Sequence, residues 1–174
     1  KSRLCAELAV RAAAAGARVL LGRCAQDDGA PPLWPWLQVL RGLGRELDTG
    51  LTEDEGAEFR TWESVVALVA DAARTEPLVI VLDDLHWADR STLRVLRLLV
   101  TTVSSARLLV LATWRPHPAP TGALADVAET FARHHAARIQ LTGLGPAEVA
   151  EVVGAVTERT TNPAEASVLT ARTD

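Results

Sequence analysis

Leu78-Val79-Ile80-Val81-Leu82-Asp83-Asp84 is the stretch of sequence that decides the fold. Its apolar residues do not alternate with polar ones, which is typical of a strand buried on both faces of a sheet. Two adjacent carboxylates then follow at the carboxyl end of this strand. Holding two such groups together is costly unless a cation or a reaction uses them. The stretch therefore predicts a central parallel strand that ends in a functional acidic pair.

Strands and helices alternate on both sides of this stretch. Apolar runs predict further strands at 17–23 and Leu108–Ala112, and a weaker one at 138–141. Apolar positions at helical spacing predict helices at 3–15, 35–47, 57–74, and about 91–103, 123–134 and 146–158. A last helix is predicted to begin at Asn162-Pro163-Ala164-Glu165, which combines an N-cap, a first-turn proline and a capping glutamate.

This alternation predicts an α/β fold with a parallel sheet and helices on both faces. With 174 residues, 48% of them hydrophobic, the chain can bury one substantial core. We therefore expect one core domain at residues 1–160, followed by the start of a helical region at 161–174.

Composition excludes some classes of function for this segment. The formal net charge of −4 does not suit direct contact with nucleic acid. No apolar run reaches the roughly 18 residues that a membrane span needs, and no secretion signal is evident, so a cytoplasmic location is expected. Cys5 and Cys24 lack the spacing of a zinc or redox motif, which favours buried free thiols.

The acidic pair has the form of the Walker B element of nucleotide hydrolases. In that element the first carboxylate holds Mg²⁺ and the second orients the attacking water. Asp83 is therefore a candidate metal ligand, and Asp84 is a candidate catalytic residue. The pattern by itself leaves open a second interpretation, in which both are solvated turn aspartates that cap the following helix.

Lys1-Ser2 opens the first predicted helix, and Lys1 is the only lysine of the chain. In a Walker A loop, G-x-x-x-x-G-K-[ST], the lysine reaches the β- and γ-phosphates and the hydroxyl residue ligates Mg²⁺. The two residues precede a Walker B strand in an α/β pattern. We therefore expect Lys1 and Ser2 to bind nucleotide, with Ser2 also a metal ligand.

Asp83-Asp84-Leu85-His86-Trp87-Ala88-Asp89, followed by Ser91-Thr92-Leu93, resembles a signature of AAA-type P-loop ATPase modules. Such modules occur in large bacterial transcriptional regulators of the LuxR and SARP/AfsR-like types and in some nucleotide-cyclase fusions, all related to STAND signalling NTPases. The segment from Gly22-Arg23-Cys24 to Pro31-Pro32-Leu33-Trp34-Pro35-Trp36 is similar to a G-R-C…P-x-W-P-W element of the SARP-like branch.

The resemblance covers nearly the whole chain and implies that the glycine loop of Walker A and the first strand precede Lys1. It places Arg115 as a catalytic sensor of the γ-phosphate, with Thr113 as a further nucleotide-binding hydroxyl. It also implies a strand order from 17–23 through 78–83 to 107–113, with 138–142 beyond an empty slot.

By the same resemblance, the cofactors are ATP or ADP and Mg²⁺. The implied function is a slowly hydrolysing switch module of a signalling or transcriptional regulator, whose effector or DNA-binding domain lies elsewhere. Whether the protein forms a homo-oligomer is left open. Three alternatives stay open. The first is a nucleotide-dependent scaffold that does not hydrolyse ATP, since Asp84 is shorter than the glutamate of fast ATPases. The second is the ATPase module of a cyclase fusion. The third is a small-molecule kinase, for which no acceptor-binding residues are evident.

The tryptophans of the P-x-W-P-W element have two interpretations. Trp34 and Trp36 have the flat surface needed to stack on adenine, but aromatic residues beside prolines more often fix a loop to the core.

Overall fold

The strand predicted at 78–82 lies in the middle of a parallel sheet. The computed structural model describes residues 1–26, 29–47, 55–157 and 162–173. Within these residues the sheet has three strands in the order β1 (Arg18–Arg23), β2 (Leu78–Asp83) and β3 (Leu108–Ala112). The predicted order of the first three strands is confirmed.

The helices lie largely at the positions predicted for them. In the first of two units, Lys1–Ala136, they are α1 (Ser2–Ala14), α2 (Trp34–Gly42), α3 (Glu55–Thr75), α4 (Arg90–Thr102) and α5 (Gly122–Arg133), with a 3₁₀ turn at Leu85–Trp87. The second unit, Ala137–Asp174, contains α6 (Pro146–Thr157) and α7 (Pro163–Thr173).

Both faces of β2 are covered, which explains its unbroken apolar run. Leu78, Ile80 and Leu82 pack into the main core, which contains buried residues of α2, α3, α4 and α5. Val79 and Val81 lie on the opposite face, in contact with Cys5 of α1. Full burial of one such aliphatic side chain stabilises the fold by about 1.5–3 kcal/mol. The predicted α/β fold with helices on both faces is therefore confirmed.

The strand predicted at 138–141 does not form, so the prediction of a fourth strand at 138–142 is wrong. Ile139 is 71% exposed, and no strand among the described residues pairs with this segment. A short alternating run becomes a strand only where a neighbour supplies ladder hydrogen bonds and covers one face.

Helix α2 is shorter than the predicted 35–47. It ends at Gly42 because Gly44 adopts a left-handed backbone conformation with φ of 68°. The Arg45 N–H then donates to the Leu40 carbonyl at 2.9 Å, and the Gly44 N–H donates to the Arg41 carbonyl at 2.9 Å. These two bonds form a Schellman motif, a common helix end at glycine.

The second unit confirms the predicted start of the last helix. The Glu165 N–H donates to Asn162 Oδ1 at 2.9 Å, and the Asn162 N–H donates to Glu165 Oε2 at 3.3 Å. This reciprocal pair is a capping box. The predicted boundary between 1–160 and 161–174 lies outside the described residues and stays a prediction. No helix in the described part of the chain is long and apolar enough to cross a bilayer.

Candidate functional site

Asp83 is a buried carboxylate that side chains from three other chain segments contact. It is the last residue of β2 and is 2% exposed. The Thr113 hydroxyl donates to Asp83 Oδ1 at 2.6 Å, and the Ser2 hydroxyl donates to Oδ2 at 3.3 Å. Arg23 Nη2 also donates to Oδ2, at 3.4 Å. The structure thus brings together the predicted residues Ser2, Asp83 and Thr113.

The parallel sheet explains why these residues meet. In the ladder between β1 and β2, Arg23 is the register partner of Asp83, and Thr113 directly follows β3. Ser2 begins α1, the helix that covers the Val79 side of the sheet. All these positions lie at the carboxyl edge of the strands, where open α/β sheets bind their ligands.

The Asp83 carboxyl remains ionised at neutral pH in spite of its burial. Burial acts to raise its pKa, but hydrogen bonds from Thr113 and Ser2 and the positive charge of Arg23 outweigh that effect. The pKa of Asp83 is therefore below its ordinary value of 3.8. A buried ionised carboxylate with neutral hydroxyl donors provides a site for a small, hard cation.

Thr113 connects the two carboxylate residues. Its hydroxyl donates to Asp83 and accepts from the Asp84 N–H at 3.0 Å. Its carbonyl accepts from the Leu85 N–H at 2.8 Å, and its own N–H donates to the Leu82 carbonyl at 3.0 Å. These four bonds fix the end of β3 to the acidic pair. Direct nucleotide binding by Thr113 stays a prediction.

Asp84 has a different environment from Asp83. Its backbone is left-handed, with φ of 62°, and its side chain is 41% exposed. Aspartate tolerates this conformation better than most residues, although it still costs about 1–2 kcal/mol. The turn places one carboxylate in the protein and the next at the surface. This is the division expected of one metal ligand and one water-orienting group.

The alternative in which the acidic pair caps the following helix is wrong. The cap of α4 is Asp89, whose Oδ1 accepts from the Thr92 N–H at 2.9 Å. Asp84 precedes the 3₁₀ turn but makes no side-chain cap hydrogen bond. Asp83 and Asp84 are therefore not needed to start a helix.

His86 lies beside the acidic turn. Its side chain is 15% exposed, and neither buried ring nitrogen has a hydrogen-bond partner among the described residues. Burial lowers its pKa; the negative charge of Asp84 opposes this shift, while the charges of Arg115 and Lys1 add to it. The imidazole is therefore neutral at pH 7. Arg115 and Lys1 are close enough to influence the pKa of His86.

Lys1 and Arg115 are exposed at this edge of the sheet. In the described part of the chain, neither side chain makes an ion pair or a hydrogen bond. Both are thus positioned to meet an anionic group, whereas the structure does not bring either into contact with Asp83 or Asp84. Their predicted roles toward phosphate stay predictions.

The P-x-W-P-W segment is held to the start of α4 by two hydrogen bonds. The Trp36 indole is fully buried, and its Nε1 donates to the Thr92 carbonyl at 3.0 Å. Asp89 Oδ2 accepts from the Leu33 N–H at 3.2 Å. Trp36 therefore joins α2 to α4, and stacking of this residue on adenine is excluded.

Trp34 has a different position from Trp36. The Arg41 guanidinium lies over the Trp34 ring, with Cζ 5.1 Å from the ring centroid. Trp34 also borders a cleft of about 340 Å³, which His86 and Trp87 line as well. The stacking interpretation therefore stays open for Trp34 alone.

The G-R-C element Gly22-Arg23-Cys24 contains an arginine that the sequence motifs do not place in the site, whereas the structure brings it to Asp83. A Cβ at residue 22 would lie 2.6 Å from the Pro35 carbonyl oxygen, so only glycine allows α2 to approach β1 so closely. Cys24 is a buried free thiol whose pKa rises to about 12, mainly through burial. The signal that could have identified Arg23 is its place at the carboxyl end of the strand beside β2.

The donor set suits Mg²⁺. Asp83 supplies carboxylate oxygens, and Ser2 and Thr113 supply hydroxyls, whereas Mg²⁺ typically takes one or two protein carboxylates and completes its shell with water and phosphate. Among the residues that the structure describes, no group of three or more His, Cys, Asp and Glu side chains could hold a metal without such help.

Comparison with known proteins gave one family match. A family model described as AAA ATPase domain matches residues 1–111, a range that includes Lys1, Ser2, Asp83 and Asp84. Thr113 and Arg115 lie just beyond it. A search of curated proteins found no match.

Proposed function

Because the chain belongs to the AAA ATPase domain family, we propose that it binds Mg·ATP, hydrolyses it slowly, and uses the nucleotide state to control an effector domain elsewhere in the protein. The predicted AAA-type ATPase module is confirmed by the family match. Its place in a LuxR-type or SARP/AfsR-like regulator, its STAND character and its switch role are parts of the proposal.

The observation that carries the proposal is the environment of Asp83. A carboxylate that is buried, ionised and held by the Ser2 and Thr113 hydroxyls is suited to Mg²⁺, and the only lysine of the chain precedes Ser2. Mg²⁺, when bound with ATP, would neutralise charge that develops on the phosphates. Ser2 and Asp83 hold the metal in this proposal, and Lys1 attracts the β- and γ-phosphate oxygens.

Asp84 and Arg115 supply the remaining roles. The exposed Asp84 carboxylate can accept a hydrogen bond from water and so orient it toward the γ-phosphorus. Arg115 can pair with a γ-phosphate oxygen, which ADP lacks. A ligand shifts a conformational equilibrium only through contacts that differ between two states, and Arg115 would provide such a contact.

A second candidate is a nucleotide-dependent scaffold that does not hydrolyse ATP. The observation that favours it is the Asp84 turn, because a short carboxylate on a left-handed backbone has little reach beyond its own loop. ATP binding without phosphate release by the full-length protein would support this candidate over the first.

The test is a set of Asp→Asn variants of the full-length protein. Asp83→Asn should lose Mg²⁺-dependent ATP binding, measured by calorimetry, because it removes the charge that holds the cation. Asp84→Asn should keep that affinity and release phosphate at least about 100-fold more slowly, in keeping with loss of a positioned acid or base group. Asp126→Asn is the matched control, because half-exposed Asp126 of α5 forms an ion pair with Arg97 of α4 and is not part of the site. Equal loss of affinity in the Asp83 and Asp84 variants would contradict the division of roles.

A further inference from the structure

Arg23 is the one cationic group in contact with Asp83 among the described residues. Its Nη2 lies 3.4 Å from Asp83 Oδ2, the oxygen that the Ser2 hydroxyl also contacts. The Arg23 side chain is 62% exposed, against 3% for that of Asp83. A largely solvent-exposed guanidinium therefore lies against an oxygen of a buried carboxylate.

The backbone of Arg23 is fixed, whereas the long contact to Asp83 is the only hydrogen bond or ion pair of its guanidinium in the part of the chain that the structure describes. The Arg23 N–H donates to Gln38 Oε1 at 3.3 Å, and Gln38 Nε2 donates to the Arg23 carbonyl at 3.0 Å. The ladder to β2 holds the same residue opposite Asp83. The side chain can thus leave Oδ2 by rotation about its own bonds, with no change in the sheet.

We propose that Arg23 is a specificity-determining residue that serves as the counter-ion of Asp83 without nucleotide and competes with Mg²⁺ for Oδ2. This inference rests on the proposed function, because it takes Asp83 to be the metal ligand. Two cations cannot share one carboxylate oxygen without strong repulsion, so Mg²⁺ alone must displace the guanidinium and leave it without an anionic partner.

Nucleotide removes that penalty. When Mg²⁺ arrives with ATP, the displaced guanidinium can pair with a phosphate oxygen, and arginine is well suited to such pairs. Mg²⁺ and nucleotide therefore increase each other's affinity through Arg23, as reciprocal linkage requires. The site is selective for the complex over the free ion.

The test measures Mg²⁺ alone, with no nucleotide and no turnover. Calorimetric titration of the full-length protein with MgCl₂ should show about tenfold tighter binding in Arg23→Gln than in the wild type, equivalent to about 1.4 kcal/mol. Arg23→Lys keeps a charge but loses the planar fork, so its affinity should be intermediate. Arg18→Gln is the matched control, because Arg18 lies on the same strand and pairs with Glu76.

Unchanged or weaker Mg²⁺ binding in Arg23→Gln would overturn the inference, and so would an equal gain in Arg18→Gln, which would indicate a general charge effect. If Arg23→Gln does not fold, by circular dichroism, the lysine variant decides by the same criterion.

Asp83→Asn separates this inference from the proposed function. In both the wild-type and the Arg23→Gln background it should abolish Mg²⁺ binding. If Asp83→Asn leaves wild-type Mg²⁺ binding intact, Asp83 is not the metal ligand and the proposed function fails. A different result would refute only the role of Arg23. In that result Asp83→Asn abolishes Mg²⁺ binding in the wild-type background, but Mg²⁺ still binds more tightly to the double variant Asp83→Asn/Arg23→Gln than to Asp83→Asn.

Discussion

Replacing Thr113 with valine should destabilise the protein through its effect on the acidic pair. Valine keeps the shape of threonine but removes the donor to Asp83 at 2.6 Å and the acceptor for the Asp84 N–H at 3.0 Å. A hydrogen bond to a charged group contributes about 1.5–3 kcal/mol, and a neutral one about 0.5–1.5 kcal/mol. The expected loss in the free energy of unfolding is therefore about 2–4.5 kcal/mol at pH 7.

The loss should depend on pH, with a definite sign. Because its folded-state pKa is lowered, Asp83 contributes stability that is present above its ordinary pKa of 3.8 and is lost as pH falls through the folded value. The Thr113 hydroxyl is one cause of that lowering. The difference between wild type and Thr113→Val should thus be constant from pH 5 to 8, to within about 0.5 kcal/mol, and shrink below about pH 4.

Urea unfolding of the full-length protein, followed by circular dichroism across this pH range, measures the effect. Thr113→Ser is the rescue variant, since it keeps the hydroxyl, and should recover all but about 1 kcal/mol. Thr130→Val is a control at a buried threonine whose hydroxyl, among the described residues, bonds only the Asp126 carbonyl in its own helix. If Thr113→Ser were as unstable as Thr113→Val, the missing methyl or the backbone would be responsible, and the hydrogen-bond explanation would be refuted.

Three other substitutions test separate parts of the site. Arg115→Ala should reduce the preference for ATP over ADP by about tenfold, or 1.4 kcal/mol, with little change in the affinity for ADP. Calorimetry that gives equal losses of affinity for both nucleotides would reject the sensor role. Gly22→Ala should lower the free energy of unfolding by about 1–3 kcal/mol, because the new Cβ would lie 2.6 Å from the Pro35 carbonyl oxygen. An unchanged urea midpoint would show that α2 can shift away from β1 at little cost in stability. Trp36→Phe should lower the free energy of unfolding by about 1–3 kcal/mol, since the Thr92 carbonyl loses its buried partner, and an unchanged urea midpoint would show that this hydrogen bond does not hold α2 to α4.

The sequence predicted those parts of the fold that depend on burial. The run at 78–82 is apolar at every position because the main core lies on one face and α1 on the other. The segment at 138–141 alternates polar and apolar residues, which suits a strand with one covered face, but a strand also needs a neighbour, and composition carries no information about which segment supplies the ladder. That missing partner explains the wrong prediction.

The site was predicted as far as residue type allowed. Asp83 and Ser2 were identified from motif chemistry, and they are in contact. The part of Arg23 depends on the register between β1 and β2, which pairs residues 60 positions apart. The different environments of Asp83 and Asp84 depend on one backbone angle, φ of 62° at Asp84, which adjacent identical residues do not reveal.

The bond between Leu33 and Asp89 has a consequence for how this protein can change by mutation. Leu33 has φ of 64°, a conformation that bulky residues rarely adopt, and it is also part of the main core. Asp89 receives the Leu33 N–H and starts α4 with the same carboxylate, so the two sequence motifs have a common hydrogen-bond acceptor. Any residue other than proline supplies a backbone N–H at position 33, so the shared bond constrains the identity of residue 89 and not that of residue 33. The loss of the Asp89 carboxylate would therefore affect two segments at once, the start of α4 and the turn at Leu33.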